Sequence, residues 1–229
     1  MLRNLIFSEG EYYHIYNRGV EKKIIFPQKS DYCRFIALLY ILNTSSRVNF
    51  RESLNALGPS SGNKGLFSIE RDDVLVDIGA YCLMPNHFHL LIKEKIENGT
   101  SFFMKKLLTG YSMYFNKKYN RKGPLFESRF MAQHADSDEY LKYLYSYIHL
   151  NPIKLTQPDW KESGIKDIRK AQKYLDSYKY SSYIDYTNFD RREKKVINPE
   201  VFPEYFLNSK DFKNEIIEWL SFLNPSLLS

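Results

Sequence analysis

The sequence predicts an α+β fold, a mostly antiparallel sheet with helices on one face. Two observations indicate this class. Stretches rich in strand formers and stretches of helical periodicity follow each other in the order strand, helix, strand, strand, helix, strand, helix. The clearest helical stretch, at 100–119, carries a single apolar stripe, as a helix packed on a sheet does. Such a sheet leaves one face available to a nucleic acid or another partner.

The first half of the chain supplies three strands, a helix and an insertion. Residues 11–17 are rich in strand formers and end at a turn signal, which predicts the first strand. A helix is predicted from Ser30, where apolar residues recur at helical spacing. The segment 43–73 contains glycine, proline and serine in loop-like runs and is predicted to be an insertion or a mobile loop. Residues 74–80 then form a strand that leads into the next one.

The second half supplies the amphipathic helix at 100–119, a strand at 125–133 and two further helices. Asp136 has the position of an N-cap, with an acidic residue three positions later, so a helix begins there. It ends at Asn151, because the following proline disfavours helical geometry in the residue before it. A last amphipathic helix is predicted at 211–223, packing back on the body of the protein.

The composition limits the kinds of function to consider. The 229 residues are 43% hydrophobic and 26% charged, as in globular proteins. The net charge of +6 favours a polyanionic partner, and the 19 tyrosines and 16 phenylalanines suit single-stranded nucleic acid; a basic surface without such a role is the alternative. Cys33 and Cys82 lack the spacing of a disulfide framework or thiolate metal site. No stretch resembles a signal peptide or a membrane span, so we expect a cytoplasmic protein without a membrane partner.

Two histidines lie in the strand-like stretch 81–93. On a strand, side chains alternate between faces, so His87 and His89 point one way and Phe88 points the other way. Neutral imidazole is a common metal ligand, and two on one strand need only a third donor from a neighbouring element. Packing or hydrogen bonding is the alternative role for such a pair. His14, on the first strand, is interpreted as a packed or edge histidine.

Tyr147 and Asn151 are four residues apart and therefore project from the same side of a helix. A tyrosine hydroxyl can act as a nucleophile, and an amide oxygen can bind a divalent cation. If this helix packs near His87 and His89, the two histidines and Asn151 form a three-ligand site with Tyr147 one turn away. Mixed nitrogen and oxygen donors favour Mg²⁺ or Mn²⁺ over structural zinc. Tyr147 is one of 19 tyrosines, most of which must serve packing.

No acidic residue occurs between Glu97 and Glu127, while several basic residues do. Such a run is either a solvated helix face or a surface that contacts phosphates. The candidate DNA-binding residues are those of this run together with two arginines outside it: Lys105, Lys106, Lys117, Lys118, Arg121, Lys122, Arg18 and Arg129.

Three motifs in this order and spacing resemble a known family. They are Met84-Pro85-Asn86-His87-Phe88-His89-Leu90-Leu91, a strand-like stretch containing Arg129-Phe130, and Tyr147-Ile148-x-x-Asn151-Pro152. Together they resemble the REP-associated tyrosine transposases, a bacterial branch of the single-tyrosine HUH transposases. The resemblance spans about 12–155 and continues weakly at 180–183. It divides the chain into a catalytic domain at 1–155, with the insertion at 43–73, and a C-terminal extension at 156–229 that packs on it.

The resemblance implies a ferredoxin-like fold with a C-terminal helical extension. It implies that Tyr147 attacks single-stranded DNA beside a hairpin, leaving a 5′-phosphotyrosine link and a 3′ hydroxyl, with His87, His89 and Asn151 as ligands of Mg²⁺ or Mn²⁺. Insertion-sequence relatives typically carry glutamine four residues after the tyrosine, so the shorter Asn151 reaches the ion either directly or through water. Both a monomer and a homodimer are compatible with this resemblance.

Two other functions compete with a metal-dependent DNA strand transferase. One is a domesticated protein that binds hairpin DNA or RNA without transferring strands, for which Tyr147→Phe would change nothing. The other is an RNA-binding sheet module, in which exposed aromatic residues matter and the histidines do not.

Overall fold

A four-stranded antiparallel sheet forms the centre of the protein. The computed structural model describes residues 5–49, 52–53, 65–187 and 189–221. The strand order is β2-β3-β1-β4, and each neighbouring pair is antiparallel. The strands are β1 (Tyr12–Arg18), β2 (Val76–Met84), β3 (His87–Glu94) and β4 (Met131–His134). The predicted α+β class with an antiparallel sheet is therefore confirmed.

Helices precede, connect and follow these strands. In the part of the chain described they are α1 (Lys29–Ile41), α2 (Gly99–Lys118), α3 (Asp138–Leu150), α4 (Trp160–Ser163), α5 (Ile168–Ser177), α6 (Tyr183–Tyr186) and α7 (Ser209–Ser221). Short 3₁₀ turns occur at Val20–Lys22, Leu66–Ser68, Asn151–Leu155, Arg192–Val196 and Pro199–Val201. None of the described helices is long and apolar enough to cross a membrane.

Helices cover both faces of the sheet, so the predicted one-sided arrangement is wrong. Phe88, Leu90 and Ile92 of β3 share a core with α1 and α2, whereas Leu91 packs with α3 on the other face. The reason lies in β2, which is buried at every position and so needs apolar cover on both sides. The two histidines of β3 therefore lie in the layer formed with α3.

The hairpin between β2 and β3 turns at two residues. Met84 pairs with His87, so Pro85 and Asn86 form the whole connection. The carbonyl of Pro85 accepts hydrogen bonds from the backbone of Ile25 and Phe26, at 2.9 and 3.0 Å. These contacts fix the turn, and with it the start of the strand that carries the histidines.

Several element boundaries differ from those predicted. The strand predicted at 125–133 is regular only from Met131, because the residues before it pair irregularly with the end of β1, as in the isolated bridge between Gly19 and Phe126. The N-cap of α3 is Ser137, not Asp136, since the Ser137 side chain accepts a hydrogen bond of 3.2 Å from the Tyr140 backbone.

Residues 50–51 and 54–64 of the predicted insertion at 43–73 lie outside the described residues, so the mobility predicted for the segment stays a prediction. Its two ends meet. The buried Asn43 side chain donates to the Val76 carbonyl at 2.8 Å and accepts from the backbone of Leu75 and Val76, both at 3.1 Å. Asn43 therefore anchors the start of β2.

The C-terminal segment joins the outer side of β2. Tyr180 and Ser182 exchange backbone hydrogen bonds of 2.9 Å with Leu83 and Tyr81. Arg191 strengthens this junction, because its guanidinium pairs with the buried carboxylate of Asp185 and donates to the Tyr81 hydroxyl at 2.9 Å. The weak similarity noted at 180–183 thus marks a sheet contact. The division of the chain at 155 stays a prediction.

Candidate active site

Strand β3 presents two histidines to the α3 side of the sheet. The rings of His87 and His89 lie edge to face, with centroids 5.1 Å apart. Between them Phe88 points to the opposite core, where its ring lies 5.0 Å from that of Phe35. His89 is buried, whereas His87 is partly accessible. The alternation of a strand thus brings the two predicted imidazoles to one place.

A third histidine contacts this pair. Nε2 of His14 lies 2.9 Å from Nδ1 of His89, and the two rings stack with centroids 5.1 Å apart. The sequence did not predict His14 as a site residue. The alternation of His14 with Tyr16 and Arg18 along β1 places all three on one face of the strand, and this pattern could have indicated that His14 lies beside Arg18 at the site. Because Nδ1 of His89 is engaged by His14, Nε2 is the nitrogen through which His89 would bind a metal ion.

Tyr147 of α3 lies against these histidines. Its ring centroid is 5.5 Å from that of His89 and 5.7 Å from that of His14, both edge to face. Burial raises the pKa of Tyr147, and a hydrogen bond from the Asn151 side chain acts in the opposite direction. The phenol is therefore protonated at neutral pH and has to lose its proton as it reacts.

Asn151, just after α3, is fully buried. Its amide nitrogen donates to the Tyr147 carbonyl at 2.8 Å. Its Oδ1 is buried and has no hydrogen-bond partner among the described residues. A buried carbonyl oxygen without a donor is uncommon in folded proteins and marks a place where a cation or a water can bind. One turn of helix separates this oxygen from the nucleophile candidate.

These donors fit the predicted metal ion. Two imidazoles and one amide oxygen from His87, His89 and Asn151 make a mixed donor set that suits Mn²⁺ or Mg²⁺ with further positions left for water or phosphate. Within the described residues no group of three histidine, cysteine or acidic side chains could hold a metal. The third donor is an amide, which belongs to none of those residue types.

Cys82 is adjacent to the site but is not suited to bind the ion. It pairs with His89 across the sheet. Burial raises the pKa of its thiol far above the usual value, so it stays protonated. A protonated thiol is a poor metal ligand, which leaves the imidazole and amide donors.

Two cations flank His87. Arg18 stands directly opposite it in the pairing of β1 with β3 and forms an exposed ion pair with Glu127. Lys154, in the 3₁₀ turn after α3, is partly buried. Burial lowers the pKa of His87 to about 4, and the charges of Lys154 and Arg18 act in the same direction. His87 is therefore neutral at pH 7, the form that binds a metal ion. Sequence reasoning missed Lys154.

Two of the predicted DNA-binding lysines are engaged within the protein. The ammonium of Lys106 donates to the carbonyls of Thr44 and Ser46, at 2.5 and 2.8 Å. Lys118 forms an ion pair of 2.6 Å with the fully buried Asp31. Both therefore have structural contacts that a DNA contact would compete with.

The remaining basic residues fall into two places. Helix α2 packs on the sheet face opposite the histidines, so Lys105 and Lys117 are exposed on that far layer. The chain after α2 returns to the end of β1, where the Glu127 backbone donates to the Arg18 carbonyl at 3.0 Å. The structure thus brings Arg18 to the histidines and leaves the α2 lysines across the sheet. Exposed or partly exposed residues on this returning stretch are Arg121, Lys122 and Arg129.

Comparisons with known proteins agree with the resemblance found in the sequence. Residues 64–151 match the family described as "Transposase IS200 like". The matched segment contains both β3 histidines, Tyr147 and Asn151, and over this segment the predicted resemblance is confirmed. No curated protein matches the chain.

A search of solved structures finds a REP-associated tyrosine transposase bound to a REP hairpin. It shares 12% sequence identity with this chain, the alignment covers 81% of this chain and 84% of that one, and the TM-score is 0.45.

Proposed function

We propose that this protein is a metal-dependent single-stranded DNA strand transferase that uses Tyr147 as its nucleophile. The observation that carries the proposal is the position of the Tyr147 ring, edge to face with His89 at 5.5 Å and with His14 at 5.7 Å. Tyr147, the two imidazoles and an amide oxygen that has no donor among the described residues lie on the α3 side of the sheet, which supports this role for Tyr147. The match of residues 64–151 to the IS200-like transposases supports the same activity.

In the proposed reaction the Tyr147 oxygen attacks the phosphorus of a DNA phosphodiester. The bond from phosphorus to the 3′ oxygen breaks, so a 5′-phosphotyrosine link forms, the phenol gives up its proton, and the departing 3′ oxygen gains one. Attack by a 3′ hydroxyl on the phosphotyrosine reverses the step and rejoins DNA. One phosphoester bond replaces another, so no nucleotide cofactor is needed.

The protein's own residues prepare this step. His87, His89 and Asn151 would hold Mg²⁺ or Mn²⁺, which when bound supplies positive charge to a non-bridging phosphate oxygen. The hydrogen bond between the Asn151 amide and the Tyr147 carbonyl, 2.8 Å long, fixes the ligand relative to the nucleophile. The basic residues near the end of β1, including Arg18 and Arg129, would hold the DNA backbone beside them.

Tyr147 reaches the histidines of its own chain. All the residues of the proposed site therefore come from one copy, and a monomer can carry it. A homodimer stays possible, with two complete sites.

The test is formation of a covalent protein–DNA adduct. Purified protein is incubated with single-stranded hairpin oligonucleotides from the DNA flanking its gene, with Mg²⁺ or Mn²⁺, and resolved on a denaturing gel. We expect a slow band that disappears with EDTA and with Tyr147→Phe. Tyr140→Phe, on the same helix two turns away, is the matched control and keeps the band. If the oligonucleotides bind and none becomes attached, hairpin binding without strand transfer is the better description.

A further inference from the structure

Lys154 is a partly buried cation beside the proposed site that the mechanism above does not use. It lies in the 3₁₀ turn Asn151–Leu155, which continues from α3 and packs against β2. Tyr147, Asn151 and Lys154 are spaced by four and three residues, so they follow one side of the helix and its extension. The first two lie at the proposed site, which places the third next to them.

Among the described residues, no carboxylate contacts the Lys154 ammonium, which makes no hydrogen bond and no ion pair there. The nearest acidic influence is Glu162, an exposed residue whose charge water screens. Removing a lysine from water without a partner costs free energy, and buried charges in proteins are normally paired. A bound phosphate would supply that partner for the partly buried Lys154.

The other cation near the histidines already has a carboxylate partner. Arg18 stands opposite His87 in the pairing of β1 with β3, and its guanidinium forms an ion pair with Glu127. Among the described residues, Lys154 has no such ion pair.

We propose that the Lys154 ammonium binds the DNA phosphate that Tyr147 attacks. This inference rests on the function proposed above and adds a residue to it. The ammonium would contact a non-bridging oxygen of that phosphate. It would hold the phosphate before attack and neutralise charge that grows on the oxygen during attack.

The first readout is the salt dependence of DNA binding. It is measured in the Tyr147→Phe background with single-stranded hairpin oligonucleotides, so it does not require strand transfer. A lysine that contacts a single-strand phosphate contributes about 0.7 to the slope of log affinity against log salt concentration. Lys154→Gln should make this negative slope shallower by about 0.7. The matched control is Lys166→Gln, an exposed lysine paired with Asp159 at 3.3 Å, which should leave the slope unchanged.

The second readout separates a ligand contact from a structural role. Lys154→Met replaces the charge with an apolar chain of similar length, so the melting temperature should stay the same or rise while DNA binding weakens. A structural lysine predicts the reverse, a lower melting temperature with unchanged salt dependence, and that result overturns the proposal. In protein with Tyr147 intact, Lys154→Gln should reduce the rate of adduct formation at least tenfold, and Lys154→Arg should restore part of it.

Failure of the two proposals can be told apart. If the wild-type chain binds the oligonucleotides and never forms an adduct, strand transfer is refuted, while the salt slope still reports on Lys154. If the adduct forms and Lys154→Gln changes neither slope nor rate, the Lys154 proposal is refuted and strand transfer stands.

Discussion

Nε2 of His14 lies 2.9 Å from Nδ1 of His89, so two histidines from neighbouring strands share one hydrogen bond in the sheet interior. One of the two nitrogens must carry the hydrogen. The bond fixes the orientation of the His89 ring and leaves Nε2 as the nitrogen that would bind the proposed metal ion. Partners of this kind hold a metal-binding histidine in place and raise its basicity.

Removing the His14 ring should weaken metal binding. His14→Ala removes the partner of His89, and loss of such a partner typically costs about 10- to 100-fold in metal affinity. The measurement is calorimetric titration of the apoprotein with Mn²⁺. His134→Ala is the control, because this histidine contacts Glu11 on the surface, at 2.7 Å. Equal Mn²⁺ affinities for His14→Ala and wild type would show that His14 only fills space.

The unpartnered oxygen of Asn151 predicts a further effect on metal binding. Asn151→Ala removes this oxygen, so the Mn²⁺ concentration needed for half-maximal adduct formation should rise about tenfold. Asn198→Ala is the control, since that amide contacts Asp77 at 3.0 Å, away from the histidines. A variant that needs no more Mn²⁺ than wild type would remove Asn151 from the ligand set.

The buried His149 predicts that stability falls in acid. Burial lowers its pKa from 6.5 to about 3, so between these values the unfolded chain binds a proton that the folded chain does not. The free energy of unfolding therefore carries no penalty from His149 above pH 6.5. It decreases as the pH falls toward 3, by about 3 kcal/mol at pH 4. Urea unfolding from pH 7 to 4 measures it.

The control for that prediction is the slope of the free energy of unfolding against pH in a variant without the His149 ring. His149→Gln removes the titrating ring, so its stability should depend less on pH even if it is lower at pH 7. A slope unchanged by His149→Gln would mean that other groups cause the acid sensitivity.

Two glycines should respond in opposite directions to alanine. A Cβ on Gly79, at the β2 irregularity, would lie 2.8 Å from the Phe202 ring and 2.9 Å from the Tyr145 hydroxyl, so Gly79→Ala should cost about 1–3 kcal/mol. Gly110 lies inside α2, where its Cβ would meet only the tip of Leu42, at 3.2 Å. Gly110→Ala should stabilise by about 0.5–1 kcal/mol, because alanine favours helix. Thermal melting of both variants measures the two effects. If both substitutions lowered the melting temperature by similar amounts, the predicted difference between Gly79 and Gly110 would be refuted.

The parts of the fold that follow from local periodicity were predictable. The alternation of His87, Phe88 and His89 requires only that the segment be a strand, and the apolar stripe of 100–119 requires only a helix. The same reasoning placed Tyr147 and Asn151 on one helix side. These predictions depend on spacing along the chain, which the sequence contains directly.

The parts that depend on how elements meet were not predictable. His14 reaches His89 because β1 and β3 pair in one particular register, and a shift by one residue would turn it to the other face. Lys154 comes near the proposed site because the chain continues from α3 into the 3₁₀ turn Asn151–Leu155. The lysines of α2 share one charge run in the sequence, yet two of them bind protein groups, which depends on their neighbours in space.

The pairing of Tyr180 and Ser182 with β2 has a consequence for how the protein avoids self-association. Without this segment β2 would offer a long apolar strand with unsatisfied backbone groups, the template on which other chains add and aggregate. At the opposite margin, β4 is only four residues long, too short to recruit a neighbouring chain efficiently. A protein truncated before Tyr180 should therefore precipitate, so the segment that contains Tyr180 and Ser182 protects the sheet from aggregation.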